Sequence, residues 1–278
     1  MVCYGIFCSL HKDTTAVMTS YTSWMEQLPD SHSVCTLSIP GTHCTMSQYG
    51  GPSHQCQTLP LSKQYETGIR FVDIRCRHFN DGLLIHHDVI YQLTNLGNVL
   101  EATEKFLDAH ATEIVFMRIK EECKPESNTT TFAEAVQLCL NRFSSTLFYQ
   151  GEEFPLVKEA RGKIVVLRDY DGGSGSVGLP YGALDVKDGG KIPSLLLEDI
   201  EAKWHTVRSN LDRAKQGSSS SVYLTYCSGT SALAWPLAVA ERVNSYLSDF
   251  LKGKTRWGIV AMDFPDPEII GKIINSNF

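Results

Sequence analysis

Residues 69–76, IRFVDIRC, and residues 113–120, EIVFMRIK, are apolar at consecutive positions instead of alternating ones. A strand of that kind is covered on both faces, which places it in a sheet flanked by helices. The same reading extends to CTLSIPG (35–41), LLIHHDVIY (83–91), KIVVLRDY (163–170), SVYLTYCS (221–228) and RWGIVAMDF (256–264). Between them the period becomes helical: over 96–111, Val99, Leu100, Thr103, Phe106 and Leu107 share one face, and 131–143 and 235–252 repeat the pattern. Strands and helices alternating over 278 residues predict an α/β fold, a single-domain (β/α) barrel. A doubly wound open sheet is the alternative, but no GxGxxG follows the first strand. The Gly-rich residues 171–190 are expected to form a long loop at one mouth of the barrel.

The formal net charge is −6 and the basic residues are scattered, which argues against a nucleic-acid partner, since such a partner requires a concentrated basic patch. No run reaches the roughly 18 consecutive apolar residues of a membrane span. Residues 1–17, MVCYGIFCSLHKDTTAV, lack a basic leading region and are read as no secretory signal. Residues 1–20 are taken as an N-terminal extension to a barrel of residues 21–278. Nine cysteines without a repeated CxxC spacing suit free thiols in a reducing compartment. These features predict a cytoplasmic or peripheral-membrane protein, and the Asn128-Thr129-Thr130 sequon would matter only in a secreted one. Cys3 and Cys8 are read as small apolar residues in preference to lipid attachment points.

Polar residues stand at the ends of the predicted strands. They are His43, the pair Asp73 and Arg75, His86 and His87, Lys120 and Glu122, Arg168 and Asp169, and Asp263. In a parallel barrel those positions converge on one mouth, where such folds build their active sites. Two histidines, an arginine and a carboxylate suit phosphoryl transfer. One imidazole takes a proton from the attacking oxygen and the other protonates the leaving oxygen. A guanidinium offsets phosphate charge, and a carboxylate behind the base fixes its tautomer.

The blocks SIPGTH (38–43), GIRFVDIRCR (68–77), LLIHHDVIY, FLDAHATEIVFMRIKEE (106–122), RGKIVVLRDY (161–170) and WGIVAMDF (257–264) resemble, in order and spacing, the bacterial-type phosphatidylinositol-specific phospholipase C X-domain family. The likeness runs from about Tyr21 to Phe264. It implies a distorted TIM barrel. It further implies cleavage of phosphatidylinositol, and of glycosyl-phosphatidylinositol (GPI) anchors, at a membrane surface to diacylglycerol and an inositol cyclic phosphate. By motif, His43 would be the general base on the inositol 2-hydroxyl, Asp263 its orienting partner, Arg75 the phosphate ligand, and His87 the general acid. Asp73, Lys120, Arg168 and Asp199 would line the inositol pocket, although Asp169 occupies the column of the family's pocket arginine. Calcium-dependent relatives carry acidic ligands where this chain has Arg75, so the likeness implies metal-independent chemistry by a monomer. Tyr181, Trp204 and Trp235 are candidates for membrane contact or for inward packing.

Cys44 departs from the pattern, which reads His-Asp where this chain has His43-Cys44. A thiol is largely uncharged near neutrality, so His87 is expected to be less often protonated and Arg75 less firmly aimed, with reduced activity. The alternative function is a weak or inactive barrel that binds inositol lipid or a partner protein. A Cys44 nucleophile lacks an arginine six residues on, and a zinc site drawn from Cys35, His43, Cys44, His54 and Cys56 lacks paired ligand spacing. A metal-dependent phosphodiesterase barrel would need closely paired acidic ligands that the chain does not show.

Overall fold

The computed structural model describes residues 21–172 and 176–278; the N-terminal extension, Cys3, Cys8 and the stretch read for a signal lie outside them. The strands are β1 (Ser38–Thr42), β2 (Phe71–Phe79), β3 (Gly82–His87), β4 (Ile90–Asn95), β5 (Ile114–Glu121), β6 (Lys163–Asp169), β7 (Leu179–Pro180), β8 (Asp185–Lys187), β9 (Tyr223–Tyr226) and β10 (Gly258–Met262). The helices are α1 (Leu61–Glu66), α2 (Leu96–Ala109), α3 (Phe132–Leu140), α4 (Val157–Ala160), α5 (Leu197–Gln216), α6 (Pro236–Phe250) and α7 (Pro267–Asn275).

Eight strands run in the order β7-β6-β5-β2-β1-β10-β9-β8, with every neighbouring pair parallel. This is the predicted distorted barrel. Its two ends, β7 and β8, follow each other in the chain and are joined by a 3-10 turn at Tyr181–Ala183. Residues 171–190, expected to be a mouth loop only, therefore also supply two wall strands. LLIHHDVIY, expected to be one strand, folds back on itself: β3 pairs antiparallel with the extended end of β2, and β4 with β3. The turn uses Asp88 at φ 49°, a left-handed conformation that Asp tolerates.

Helix α2 buries the five residues its period predicted and is capped by Asn95, whose side chain accepts from the Asn98 amide. Helix α5 shows only a thin apolar stripe in the sequence; it docks through Ile200, Val207, Leu211 and Ala214, with Lys203 and Asn210 buried among them. The buried Lys203 amine donates to the carbonyls of Asp188, Gly189 and Tyr226, tying the ends of β8 and β9 together.

Register sets the layers inside the barrel. Gly41 pairs with Ala261 and Phe71, Ala261 with Tyr226, and Phe71 with Phe116, so these residues point inward at one level. Gly41 is required there, because a Cβ at that position would lie 2.7 Å from the Phe71 ring. Two residues further along each strand, the period of 2 brings His43, Asp263, Asp73 and Arg118 onto the same inward face. The next layer holds Arg75, Lys120 and Asp169, which are in register across β2, β5 and β6.

Candidate active site

His43 leaves the end of β1 with its amide donating to the Met262 carbonyl, beside the end of β10. Its Nδ1–H donates to Asp263 Oδ1 at 2.8 Å, which fixes the tautomer and leaves Nε2 facing the pocket. Burial opposes charge on this imidazole, but Cys44 and Asp263 outweigh it and raise its pKa to about 10. Nε2 lies 3.1 Å from an Arg75 terminal nitrogen and 3.3 Å from Cys44 Sγ.

Arg75 is aimed by Asp73, whose Oδ2 accepts from Arg75 Nε at 3.2 Å and from a terminal nitrogen at 3.1 Å. The same oxygen accepts from the Cys44 amide. Burial resists ionisation of Asp73, yet Arg75 and Arg118 hold its carboxyl at about 2, so it is a carboxylate at any working pH. Glu122, 3.6 Å from Arg75 and 3.8 Å from Lys120 Nζ, also accepts from the Asp88 amide and so links the pocket cations to the β3–β4 turn.

His87 arrives on that hairpin. Its Nδ1–H donates to the His54 carbonyl at 2.6 Å, with Ser47 Oγ at 2.9 Å, so Nε2 is the nitrogen left for the pocket. The rings of His43 and His87 stand 6.3 Å apart, edge to face. His86 points to the other side and packs on Tyr91. Burial works against protonation of His87, but the negative potential of Cys44 and the His54 carbonyl raise its pKa.

Cys44 is buried at the centre of this cluster. Burial disfavours its thiolate, but a hydrogen bond with Cys56 and the charges of Arg75, His43 and His87 pull its pKa well below the ordinary thiol value. The expectation of an uncharged thiol overlooked these three cations, two of which come from distant strands.

Two expected pocket residues are not brought to the cluster. Arg168 alternates with Asp169 along β6 and faces outward in register with Ile119; its Nε donates to the Gly178 carbonyl. Asp199 lies in the first turn of α5 and accepts from Ser194 Oγ. In their place the structure supplies Asp169, which the sequence names at its strand end without assigning it to the inositol pocket, and Arg118, which it does not single out. The Arg118 guanidinium donates to Asp169 Oδ2, to Asp73 Oδ1 at 3.0 Å and to the Tyr226 hydroxyl at 2.9 Å, and lies over the Tyr181 ring. Its register with Asp73 was the signal that would have found it.

Comparison with known proteins agrees with this geometry. Residues 31–170 match the family described as phosphatidylinositol-specific phospholipase C, X domain. The 1-phosphatidylinositol phosphodiesterase of Listeria monocytogenes is 30% identical, covering 91% of this chain and 84% of that protein. Its Staphylococcus aureus counterpart is 27% identical over 100% of this chain and 95% of that one. The solved phosphatidylinositol-specific phospholipase C from Listeria monocytogenes superposes with a TM-score of 0.82 at 28% identity, covering 93% of this chain and 99% of that chain. A Staphylococcus aureus enzyme structure gives a TM-score of 0.83 at 25% identity, over 93% and 98% of the two chains. With its parallel barrel, its facing histidines and these relatives, the chain belongs to the phosphatidylinositol-specific phospholipase C X-domain family.

Proposed function

We propose that the chain cleaves phosphatidylinositol, and the same bond in GPI anchors, to diacylglycerol and an inositol cyclic phosphate. One arrangement carries the reading: two imidazoles facing across 6.3 Å, the base held by Asp263 and the guanidinium of Arg75 beside it. The likeness to enzymes named 1-phosphatidylinositol phosphodiesterase supports the same substrate bond.

In this reading the unprotonated form of His43, whose raised pKa makes it a strong base, takes the proton of the inositol 2-hydroxyl at Nε2, and the freed oxygen attacks phosphorus and closes the cyclic phosphate. Arg75, aimed by Asp73, binds the non-bridging oxygens and offsets the charge that grows on them. His87 passes its Nε2 proton to the departing glycerol oxygen, a step that its raised pKa favours. Cys44, as thiolate, takes the part of the family's aspartate between Arg75 and His87. Lys120, Glu122 and Asp169 border the inositol ring. The two imidazoles and the guanidinium supply the proton transfers and the charge compensation, so the reading requires no metal, and one copy of the chain holds the whole set.

Access to lipid is supported by the mouth itself. Leu196 and Leu197, between β8 and the first turn of α5, and Leu233 and Trp235, between β9 and α6, are each at least half exposed. The two loops are bridged by Lys191 and Thr230 and follow the C-terminal ends of their strands, the side of the barrel that carries His43. Tyr181 and Trp204 pack inward instead, on Arg118 and on Tyr246. Among the described residues no helix is long and apolar enough to cross a membrane, which suits peripheral attachment.

The test is release of inositol cyclic phosphate from phosphatidylinositol vesicles with a chelator present. The native chain should turn over, and His43→Ala and His87→Ala should each lose about 10²–10⁴-fold. A folded native chain without turnover would leave the lipid- or partner-binding reading in place of the enzyme.

A further inference from the structure

The centre holds more sulfur than the proposed acid–base steps use. Cys56 lies twelve positions beyond Cys44, yet both are buried and both are tied to Ser47. The Ser47 amide donates to the Cys44 carbonyl, and the Ser47 carbonyl accepts from the Cys56 amide. The backbone thus fixes the two thiols against each other. His43 Nε2, Cys44 Sγ and Cys56 Sγ lie within 4.8 Å of one another, the first two at 3.3 Å. Tetrahedral zinc, with Zn–S near 2.3 Å and Zn–N near 2.0–2.1 Å, places its ligand atoms about 3.5–3.8 Å apart, so the three converge on one ion with small adjustments.

A second observation points the same way. The His43 Nδ1–H donates to the buried Asp263 carboxylate at 2.8 Å. That support is typical of zinc-ligating histidines: it orients the ring and presents the Nε2 lone pair to the metal.

We propose that His43, Cys44 and Cys56 form a site for Zn²⁺ or a similarly thiophilic divalent ion, and that its occupancy switches off phosphodiester cleavage. The inhibitory half rests on the function proposed above. On binding, Cys56 loses its S–H proton and any proton on His43 Nε2 leaves with it to solvent, Cys44 binds as the thiolate it already is, and two Zn–S bonds and one Zn–N bond form, giving a neutral unit. The Arg75 nitrogen at 3.1 Å from Nε2 gives up that contact and keeps its bonds to Asp73 Oδ2. A fourth position opens toward the pocket for water or a phosphate oxygen. With its Nε2 lone pair engaged, His43 no longer accepts a proton. The sequence offers these three among five possible zinc ligands but without paired spacing, because no motif brings Cys56 back to Cys44, and only the fold selects them.

The test titrates the full chain, reduced by a non-thiol phosphine, with Zn²⁺ against a chromogenic chelator. In parallel, Co²⁺ is added and thiolate-to-cobalt absorption is read. One equivalent should bind with a thiolate band, and Cys56→Ser should weaken binding by at least about 100-fold, since even supporting residues around a zinc site are worth 10–100-fold. Vesicle turnover should stop as one equivalent of zinc is added and return with chelator. Absence of the thiolate band in the native chain, or equal affinity in Cys56→Ser, overturns the site. Full turnover with one zinc bound overturns the inhibition. Because metal binding is read without substrate, a chain that binds zinc but never cleaves lipid in chelator retires the enzyme reading and leaves the site standing.

Discussion

Cys44 stands where the family carries an aspartate, and what it does depends on neighbours that the sequence does not place beside it. With Arg75, His43 and His87 around it, its thiolate is favoured, so in chelator Cys44→Asp should stay within about 10-fold of the native rate, whereas neutral Cys44→Ser should lose roughly 10–100-fold. The pH profile separates charge from shape. The base works unprotonated and the acid protonated, so kcat/KM falls on the alkaline side above the higher of the His43 and His87 pKa values. Cys44 raises both, so Cys44→Ser should move the alkaline limb to lower pH and Cys44→Asp should restore it. An unmoved limb in Cys44→Ser would mean that the thiol is neutral. Arg118 gives a second residue-scale prediction. Its removal leaves the Asp73 carboxylate, fully buried, with Arg75 as its remaining arginine partner, and Arg118→Met should cost about 3 kcal/mol in thermal or denaturant unfolding. Adding Asp73→Asn should recover part of that loss, because the unpaired charge goes with it. His43, Arg75 and Asp263 were legible as polar ends to apolar runs. Arg118 was not, because it interrupts such a run, and Arg168 was chosen over Asp169 because strand parity is invisible until register is known.

Parity and register belong to whole elements, and the β3–β4 hairpin shows how an element can be misread. LLIHHDVIY has the apolar density of one strand and no Asn-Gly or Asp-Gly to mark a turn, so sequence alone runs it straight through His87. Folded back, it carries His87 to the pocket instead of into the barrel wall. What holds the hairpin to the loop after His43 is Gln92. The buried Gln92 side chain accepts from the amides of Gln48 and Tyr49 and donates to the carbonyls of Tyr49 and Ile90. Gln92→Ala strands those groups and should cost about 1–3 kcal/mol of stability. Since Ser47 and His54 in that loop orient His87, kcat should fall as well. A phenol leaving group needs little help from a general acid, so the kcat defect should shrink on an aryl inositol phosphate. A defect of equal size on both substrates would assign Gln92 to the base side of the site. Helix α5 and strands β7 and β8 escaped the reading for a different reason. The helix is mostly polar, and the two strands are too short to show a period, so only closure of the sheet reveals them.

At the scale of the molecule the barrel was legible because each strand and each long helix had to be apolar in its own period, and that pattern survives without register. Of the proposed lipid-facing rim only Trp235 was legible, because the exposure of Leu196, Leu197 and Leu233 beside it is a property of two loops bridged in space. With a formal net charge of −6 the molecule as a whole is repelled by an anionic bilayer, so the proposed attachment draws on apolar burial at this rim. Burying an exposed leucine or tryptophan contributes about 1.5–3 kcal/mol, so removing two such groups should weaken partitioning by at least about 10-fold. The double variant Leu233→Ala/Trp235→Ala should therefore bind phosphatidylcholine vesicles that much less and turn over vesicular phosphatidylinositol more slowly. Its rate on a soluble aryl inositol phosphate, which needs no docking, should match the native rate. Raising salt should leave binding to neutral vesicles unchanged and should strengthen binding to anionic ones, because screening weakens the repulsion. Tight binding at low salt that vanishes at high salt would instead place the contact on a basic patch and remove the rim from the docking surface.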